Sequence, residues 1–143
     1  MKDLNQIFKT FGYSQELAEP IEMVFELVDE LCKNDIEPYA QEMDEIGCTF
    51  DVNTGKVAYP KQTYKIVKKF AENDLMGLAI PDKYEGSGLH FTLVNACYER
   101  ISRADAGTSL LFGLQNSSSD VIETFGTEEA KDYYLPKLAL GKK

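Results

Sequence analysis

The residues from Leu75 to Leu89 constrain this chain more than any others. Leu75-Met76-Gly77-Leu78-Ala79-Ile80 is apolar, Pro81 follows, and Gly86 and Gly88 then stand close together in Tyr84-Glu85-Gly86-Ser87-Gly88. The apolar run must enter a core, and Pro81 blocks continuation of a helix or a central strand. The glycines permit backbone angles and close approaches that a Cβ forbids. Such a stretch between two helical patterns predicts a packed loop, not a linker.

The patterns around it are helical. Leu4, Ile7, Phe8 and Phe11 predict a short opening helix stopped by Gly12, and Ser14 can cap the next element. Leu17, Ile21, Val24, Val28 and Leu31 alternate steps of four and three, one stripe of a helix. The stripe resumes one position late at Ile36, Tyr39 and Met43, and Pro38 removes a backbone donor, so a kink is expected near Asn34 and an end at Gly47. Residues 49–58 are expected to be a loop, although Asn53-Thr54-Gly55 can turn two extended arms. Pro60 suits a first helical position before a face of Tyr64, Val67, Phe70 and Ala71, with Lys61, Lys65, Lys68 and Lys69 solvated opposite. Val94, Cys97, Tyr98 and Ile101 mark another helix, with Glu99 and Arg103 at the favourable spacing. Asp105 can end it or cap its successor. Gly126 and Thr127-Glu128-Glu129 predict a stop and a restart, the last helix reaching about Leu138. The whole is predicted to be all-α, an orthogonal bundle of about five to six helices forming one domain over residues 1–143.

The formal net charge of -9 repels phosphates and anionic headgroups, which argues against a nucleic-acid partner. No apolar run approaches the roughly 20 residues of a membrane span, and the first residues lack a secretory pattern. A cytoplasmic protein is expected. Cys32, Cys48 and Cys97 form an odd set with no CxxC spacing, and His90 is the one imidazole. They predict reduced, mostly packed thiols and no metal site, with His90 at a surface or a helix start.

The loop and its neighbours resemble the amino-terminal helical domain of the acyl-CoA dehydrogenase family. The likeness continues through Tyr98-Glu99-Arg100-Ile101-Ser102-Arg103-Ala104-Asp105-Ala106-Gly107 and Gln115-Asn116-Ser117. It closes with Phe125-Gly126-Thr127-Glu128-Glu129-Ala130-Lys131 and Tyr134-Leu135-Pro136-Lys137-Leu138. Members usually carry Tyr-Gly-Gly-x-Gly where this chain has Glu85 in place of the first glycine. At positive φ, glutamate there would cost roughly 1 kcal/mol or more. Gly47-Cys48-Thr49-Phe50-Asp51, Gly55-Lys56-Val57 and Pro60 are similar to the branch that includes methylthiopropionyl-CoA dehydrogenases.

Ala106 to Asn116 stands apart. Leu110, Leu111, Phe112 and Leu114 spread around the circumference, which predicts a helix buried on all sides, a central core helix when taken alone. The resemblance implies more, since in the family this helix and the loop after it line the acyl channel, which places Leu110, Leu111 and Leu114 against the acyl chain. Apolar walls suit an aliphatic tail, at about 0.8 kcal/mol per buried methylene. Gln115 and Asn116 are expected to bridge helix ends, and Arg103, Asp105 and Glu99 to form ion pairs at a helix junction.

The family chemistry needs a carboxylate base and a flavin. The resemblance assigns both to a flavin-binding middle domain and a carboxy-terminal helical domain outside this sequence, the former starting with a Thr-Glu-Pro-x-Ala-Gly-Ser-Asp type of motif shortly after Lys143. Glu128 and Glu129 read as helix-start acids, and Glu42, Asp44 and Glu45 as a solvated face, so no residue here is nominated as catalytic. The expectation is the amino-terminal domain of an FAD-dependent acyl-CoA dehydrogenase, silent and flavin-free by itself. Its partners would be the acyl-CoA substrate and the remaining domains, and the complete enzyme is expected to be a homo-oligomer. The competing class is a stand-alone helical interaction module with an apolar groove for a protein partner or lipid.

Overall fold

The computed structural model of the chain describes Thr10 and residues 18–142. The opening helix expected from Leu4 to Phe11, its stop at Gly12, the Ser14 cap and Leu17 lie outside the described residues, Thr10 apart. Six α-helices follow: α1 (Ala18–Leu31), α2 (Ala40–Ile46), α3 (Lys61–Glu72), α4 (Phe91–Ala104), α5 (Ala106–Phe125) and α6 (Glu128–Ala139). One small antiparallel hairpin of β1 (Thr49–Asp51) and β2 (Lys56–Ala58) projects between α2 and α3. The predicted all-α bundle is thus what forms, and none of its described helices is long and apolar enough to cross a membrane.

Local chemistry explains the helix ends. Between α1 and α2 the chain widens into a π-helical turn at Cys32–Ile36 and tightens into a 3-10 turn at Glu37–Tyr39 holding Pro38, the kink expected near Asn34. It is pinned from α3, where Lys69 Nζ lies 2.6 Å from Asp35 Oδ1 and Gln62 donates to the Asp35 carbonyl at 3.1 Å. Lys69 is therefore not simply solvated. Gly47 ends α2, its N–H donating to Met43 O at 2.9 Å. His90 caps α4, Asp105 caps α5 by accepting the Thr108 N–H, and Thr127 caps α6 by accepting the Ala130 N–H.

Several expectations need correction. Residues 49–58 were expected as a loop but pair as strands, with Phe50 opposite Val57. The arms are exposed, so the turn holds them: Asp51 accepts the Asn53 N–H at 2.9 Å and the Thr54 hydroxyl at 2.8 Å. Helix α3 begins after Pro60, and its core face is Thr63, Ile66 and Phe70. Tyr64 is exposed and packs edge-on against Tyr59 at 6.0 Å. Tyr39 also stays at the surface, while Ile36 and Met43 enter the core. Arg103 makes no ion pair with Glu99 or Asp105; Arg100 instead reaches Asp29 at 2.8 Å and lies over the Phe25 ring.

The loop from Leu75 to Leu89 joins two cores. Leu75, Met76 and Leu78 belong to the main core with Ile36, Phe70, Cys97 and Phe112. Ile80 and Tyr84 belong to a second, with Leu135, Leu138 and Ala139 of α6. The glycine part folds back on the apolar part: Ser87 N–H donates to Gly77 O, Gly88 to Ile80 O and Leu89 to Leu78 O, at 2.8–2.9 Å. A loop that satisfies its own backbone this way can be buried.

Glu85 sits at φ +65° in the left-handed region, where its Cβ is strained. Glu85→Gly, which restores the family residue, is expected to stabilise the chain by about 0.5–1 kcal/mol after the unfolded-state entropy of glycine is subtracted. Urea unfolding checks this, and a loss of stability would show that the side chain compensates its backbone.

Candidate functional site

Helices α4 and α5 pack as a pair joined at Asp105, and α5 is buried on one side rather than all round. Thr108, Ser109, Phe112, Asn116 and Ser119 are the buried residues of α5. Three of these polar side chains bond to carbonyls of their own helix: Ser109 Oγ to Ala106 O at 2.8 Å, Asn116 Nδ2 to Phe112 O at 2.9 Å, and Ser119 Oγ to Asn116 O at 2.8 Å. Satisfied internally, the two serines can be buried at small cost, whereas Asn116 is satisfied at Nδ2 alone. The close packing shows at Gly113, where an added Cβ would meet Tyr98 Cε2 at 2.6 Å.

The expected all-round burial of α5 is therefore wrong. Leu110 and Leu114 are 56% and 62% exposed, and Leu111 is half-buried. The structure does bring the three onto one surface of the helix. Leu110 and Leu114 border a groove of about 230 Å³ between α4 and α5, together with Phe91, Tyr98 and Asn116. Leu110 and Leu111 border a second groove of about 430 Å³, shared with Met43, Cys48, Tyr59 and Pro60. Leu110 is the ridge between them.

The first groove has no carboxylate, imidazole or amine among its lining residues. Its polar lining is Asn95, Tyr98, Asn116 and Ser117, and Asn116 Oδ1 is buried without a hydrogen-bond partner among the described residues. Gln115 performs the expected bridging role, donating to Leu138 O of α6 at 2.8 Å. The buried residues that sequence reasoning missed, Thr108, Ser109 and Ser119, had a signal: Thr108, Phe112, Asn116 and Ser119 are spaced four, four and three. Their polarity concealed it. Glu42, Asp44 and Glu45 lie on the solvated side of α2, as expected. No cluster of three or more metal-ligating side chains occurs among the described residues.

Residues 18–142 match the family described as acyl-CoA dehydrogenase, N-terminal domain. This chain belongs to the acyl-CoA dehydrogenase family. It is 32% identical over 127 residues to the probable acyl-CoA dehydrogenase YngJ of Bacillus subtilis, covering 88% of this chain and 30% of that protein. It is 29% identical over 121 residues to the bovine mitochondrial short/branched chain specific acyl-CoA dehydrogenase, covering 84% and 25%. It is 29% identical over 127 residues to a 3-(aryl)acrylate reductase of Clostridium sporogenes, covering 88% and 30%. A solved structure described as an electron transferring flavoprotein of Acidaminococcus fermentans superposes with a TM-score of 0.69 at 26% identity, covering 85% of this chain and 29% of that one. The chain thus spans about 25–30% of the length of these relatives.

The thiols of this acyl-CoA dehydrogenase domain are all free. Cys32 and Cys97 are buried as expected, but Cys48 is exposed on the rim of the larger groove. Burial pushes Cys97 from its ordinary 9.0 up to about 12. Burial, and then the Asp29 and Glu37 carboxylates, pushes Cys32 to about 11. The unfolded chain therefore releases these protons first. Their contribution to stability is fully present below pH 9.0 and is lost as pH rises through the two folded values. Unfolding midpoints are expected to fall above pH 9.0 and to fall less in Cys97→Ala; a slope unchanged by that substitution would refute the assignment. At neutral pH a thiol reagent should label Cys48 alone in the folded chain.

Proposed function

We propose that this chain is the amino-terminal helical domain of an FAD-dependent acyl-CoA dehydrogenase, and that Leu110, Leu111 and Leu114 wall the pocket for the acyl chain. In the complete enzyme the reaction is oxidation of an acyl-CoA thioester to the 2,3-enoyl-CoA, in a cytosolic, homo-oligomeric protein. The observation that carries the reading is the side of α5 on which the leucines stand. Leu110 and Leu114 are exposed on a helix whose opposite side is anchored in the core, next to a groove lined by no charged side chain, while the half-buried Leu111 borders the second groove, which Asp44 and Asp105 also line. A rigid apolar wall binds an aliphatic chain through burial alone, and its anchored backbone keeps that chain in a fixed place relative to whatever reacts with it.

The groove's lining residues do not fit FAD, since they offer a pyrophosphate no cation. The contacts to the flavin, and the base, belong to the parts of the relatives that this chain does not span. FAD would supply hydride acceptance there, and the isolated chain is expected to bind none. What these residues do is exclude water from the acyl group and fix its position.

A chimera tests the proposal. Residues 18–142 replace the matching part of the Bacillus subtilis relative, and flavin absorbance and acyl-CoA-dependent dye reduction are followed, with enoyl-CoA reduction assayed as well because one relative is named as a reductase. A flavin-loaded, active chimera is expected. Leu114→Asp within it should lower kcat/KM by about ten- to a hundredfold, the loss of one buried leucyl contact, with flavin content unchanged. Full turnover in that variant would remove Leu114 from the pocket. The second class, a stand-alone interaction module, is favoured by one further feature: exposed apolar side chains continue along α5 to Val121 and Phe125, beyond the groove.

A further inference from the structure

Asn116 is a polar side chain that the fold satisfies at one end only. It is 3% exposed, its Nδ2 donates to Phe112 O at 2.9 Å, and its Oδ1 is buried with no hydrogen-bond partner among the described residues. The opposite amide orientation would set Oδ1 against the Phe112 carbonyl, two acceptors together, so the unpaired atom is an acceptor and not a donor. The helix itself offers it nothing. Of the neighbours three and four residues away, Phe112 and Gly113 have no polar side-chain atom, Ser119 donates to Asn116 O, and Asp120 is an acceptor. A buried acceptor left unpaired weakens the fold, and a leucine of the same branched shape would avoid that. Asn116 also lines the groove between α4 and α5, beside Tyr98, Leu114 and Ser117.

We infer that Asn116 Oδ1 is the acceptor for a hydroxyl group on the ligand of this groove, and that the acyl group of the substrate is therefore a hydroxyacyl chain, a step that rests on the acyl reading of this groove. The rest of the lining favours a neutral donor over a charged one. It holds no carboxylate to pair with an ammonium group, and burying that charge alone is prohibitive. A hydroxyl gives its proton to Oδ1 and keeps lone pairs, for which Asn95, Tyr98 and Ser117 carry N–H and O–H groups on the same lining.

Access sets a further condition. Oδ1 is shielded from solvent, and a single water in so apolar a groove lacks the several polar partners that hold one in place. The donor must arrive on a ligand whose apolar part turns a wall side chain aside. Phe91 and Leu114, 50% and 62% exposed, have room to turn.

Nuclear magnetic resonance titration of the 143-residue chain with phenol and with toluene, which exchange a hydroxyl for a methyl group, tests the acceptor. Both probes should move the Leu114 methyl signals, and phenol should move the Asn116 side-chain amide well beyond the ring-current shift that toluene causes. In Asn116→Leu the affinity for phenol relative to toluene should fall about tenfold. The amide shift of the unaltered chain needs no variant, and it decides the matter if Asn116→Leu does not fold. Equal amide shifts from the two probes, as when a water or another part of the chain satisfies Oδ1, overturn the inference, and so does failure of both to move Leu114. The substrate class is tested in the active chimera with butanoyl- to octanoyl-CoA and their ω-hydroxy counterparts. A hydroxyl desolvated without an acceptor would lower kcat/KM by about ten- to a hundredfold, so at one chain length at least the hydroxy substrate should match or exceed its parent. A chimera that depends on Leu114 yet penalises the hydroxyl at every length overturns the hydroxyacyl assignment. Phenol selectivity in the chain, together with full turnover of the Leu114→Asp chimera, removes the acyl reading and leaves the acceptor site standing.

Discussion

Phe112→Ala is expected to cost about 3–5 kcal/mol, a large share of the 5–15 kcal/mol that holds a domain of this size. Phe112 is fully buried and meets Phe70 of α3 edge-to-face with ring centroids 5.7 Å apart. It is the largest side chain that α5 puts into the core, since its buried neighbours on that helix are threonine, serines and asparagine. None of them can extend to fill the space a missing ring leaves, so the transfer term and the cavity term both apply. The same ring lines the groove beside Leu110 and Leu114, which links stability to the shape of that groove. Leu110→Ala, by contrast, should change stability by less than about 0.5 kcal/mol. Urea unfolding of the two variants decides the matter: a small loss at Phe112 and a large one at Leu110 would mean that α5 is rotated relative to the arrangement described.

Gly86→Ala comes next, at about 3 kcal/mol. An alanine Cβ would lie 2.0 Å from the carbonyl oxygen of Ile80 and 2.5 Å from its carbon. That carbonyl cannot step aside, because it accepts the Gly88 N–H at 2.8 Å and its side chain is buried in the second core with Leu135 and Leu138. Relief therefore requires opening the fold-back of the loop, losing hydrogen bonds and burial together. Gly113→Ala is a useful contrast: its nearest neighbour is the Tyr98 ring, which can rotate about its own χ angles, so about 1–2 kcal/mol is expected there, with a reshaped groove. Hydrogen exchange gives the sharpest reading of Gly86→Ala. The amides of Gly88 and Leu89, which donate to Ile80 and Leu78, should lose protection. Unchanged protection at both would show that the loop accommodates a methyl group without opening.

Much of the architecture was legible because its signals are local. The His90, Asp105 and Thr127 caps, the stop at Gly47 and the break around Pro38 each depend on a few adjacent residues and their backbone groups. The strain at Glu85 was legible too, as a glutamate where the resembled motif has glycine, and it is found at φ +65°. The hairpin at 49–58 was missed because its stability comes from one side chain, Asp51, closing the turn, a cooperative effect that strand propensity and core burial do not report. On α3 the sequence offered Tyr64 as a core residue, and packing chose Ile66 and Thr63; a tyrosine that can keep its hydroxyl wet and its ring against Tyr59 does not need the interior.

The candidate site divides in the same way. Sequence singled out Leu110, Leu111 and Leu114 as one group, and the structure keeps them together on one surface. Sequence alone determined an all-α chain of the acyl-CoA dehydrogenase family, its helix ends and the buried loop, since these follow from periodicity, capping and backbone sterics over short spans. Only the tertiary structure decided which side of α5 is inside. Apolar count pointed to burial all round, yet serine side chains that bond to their own helix lose little on burial, and Gly113 allows α4 to approach closely. Leu110 and Leu114 were left exposed, and that face of α5 is the one proposed to wall the acyl pocket.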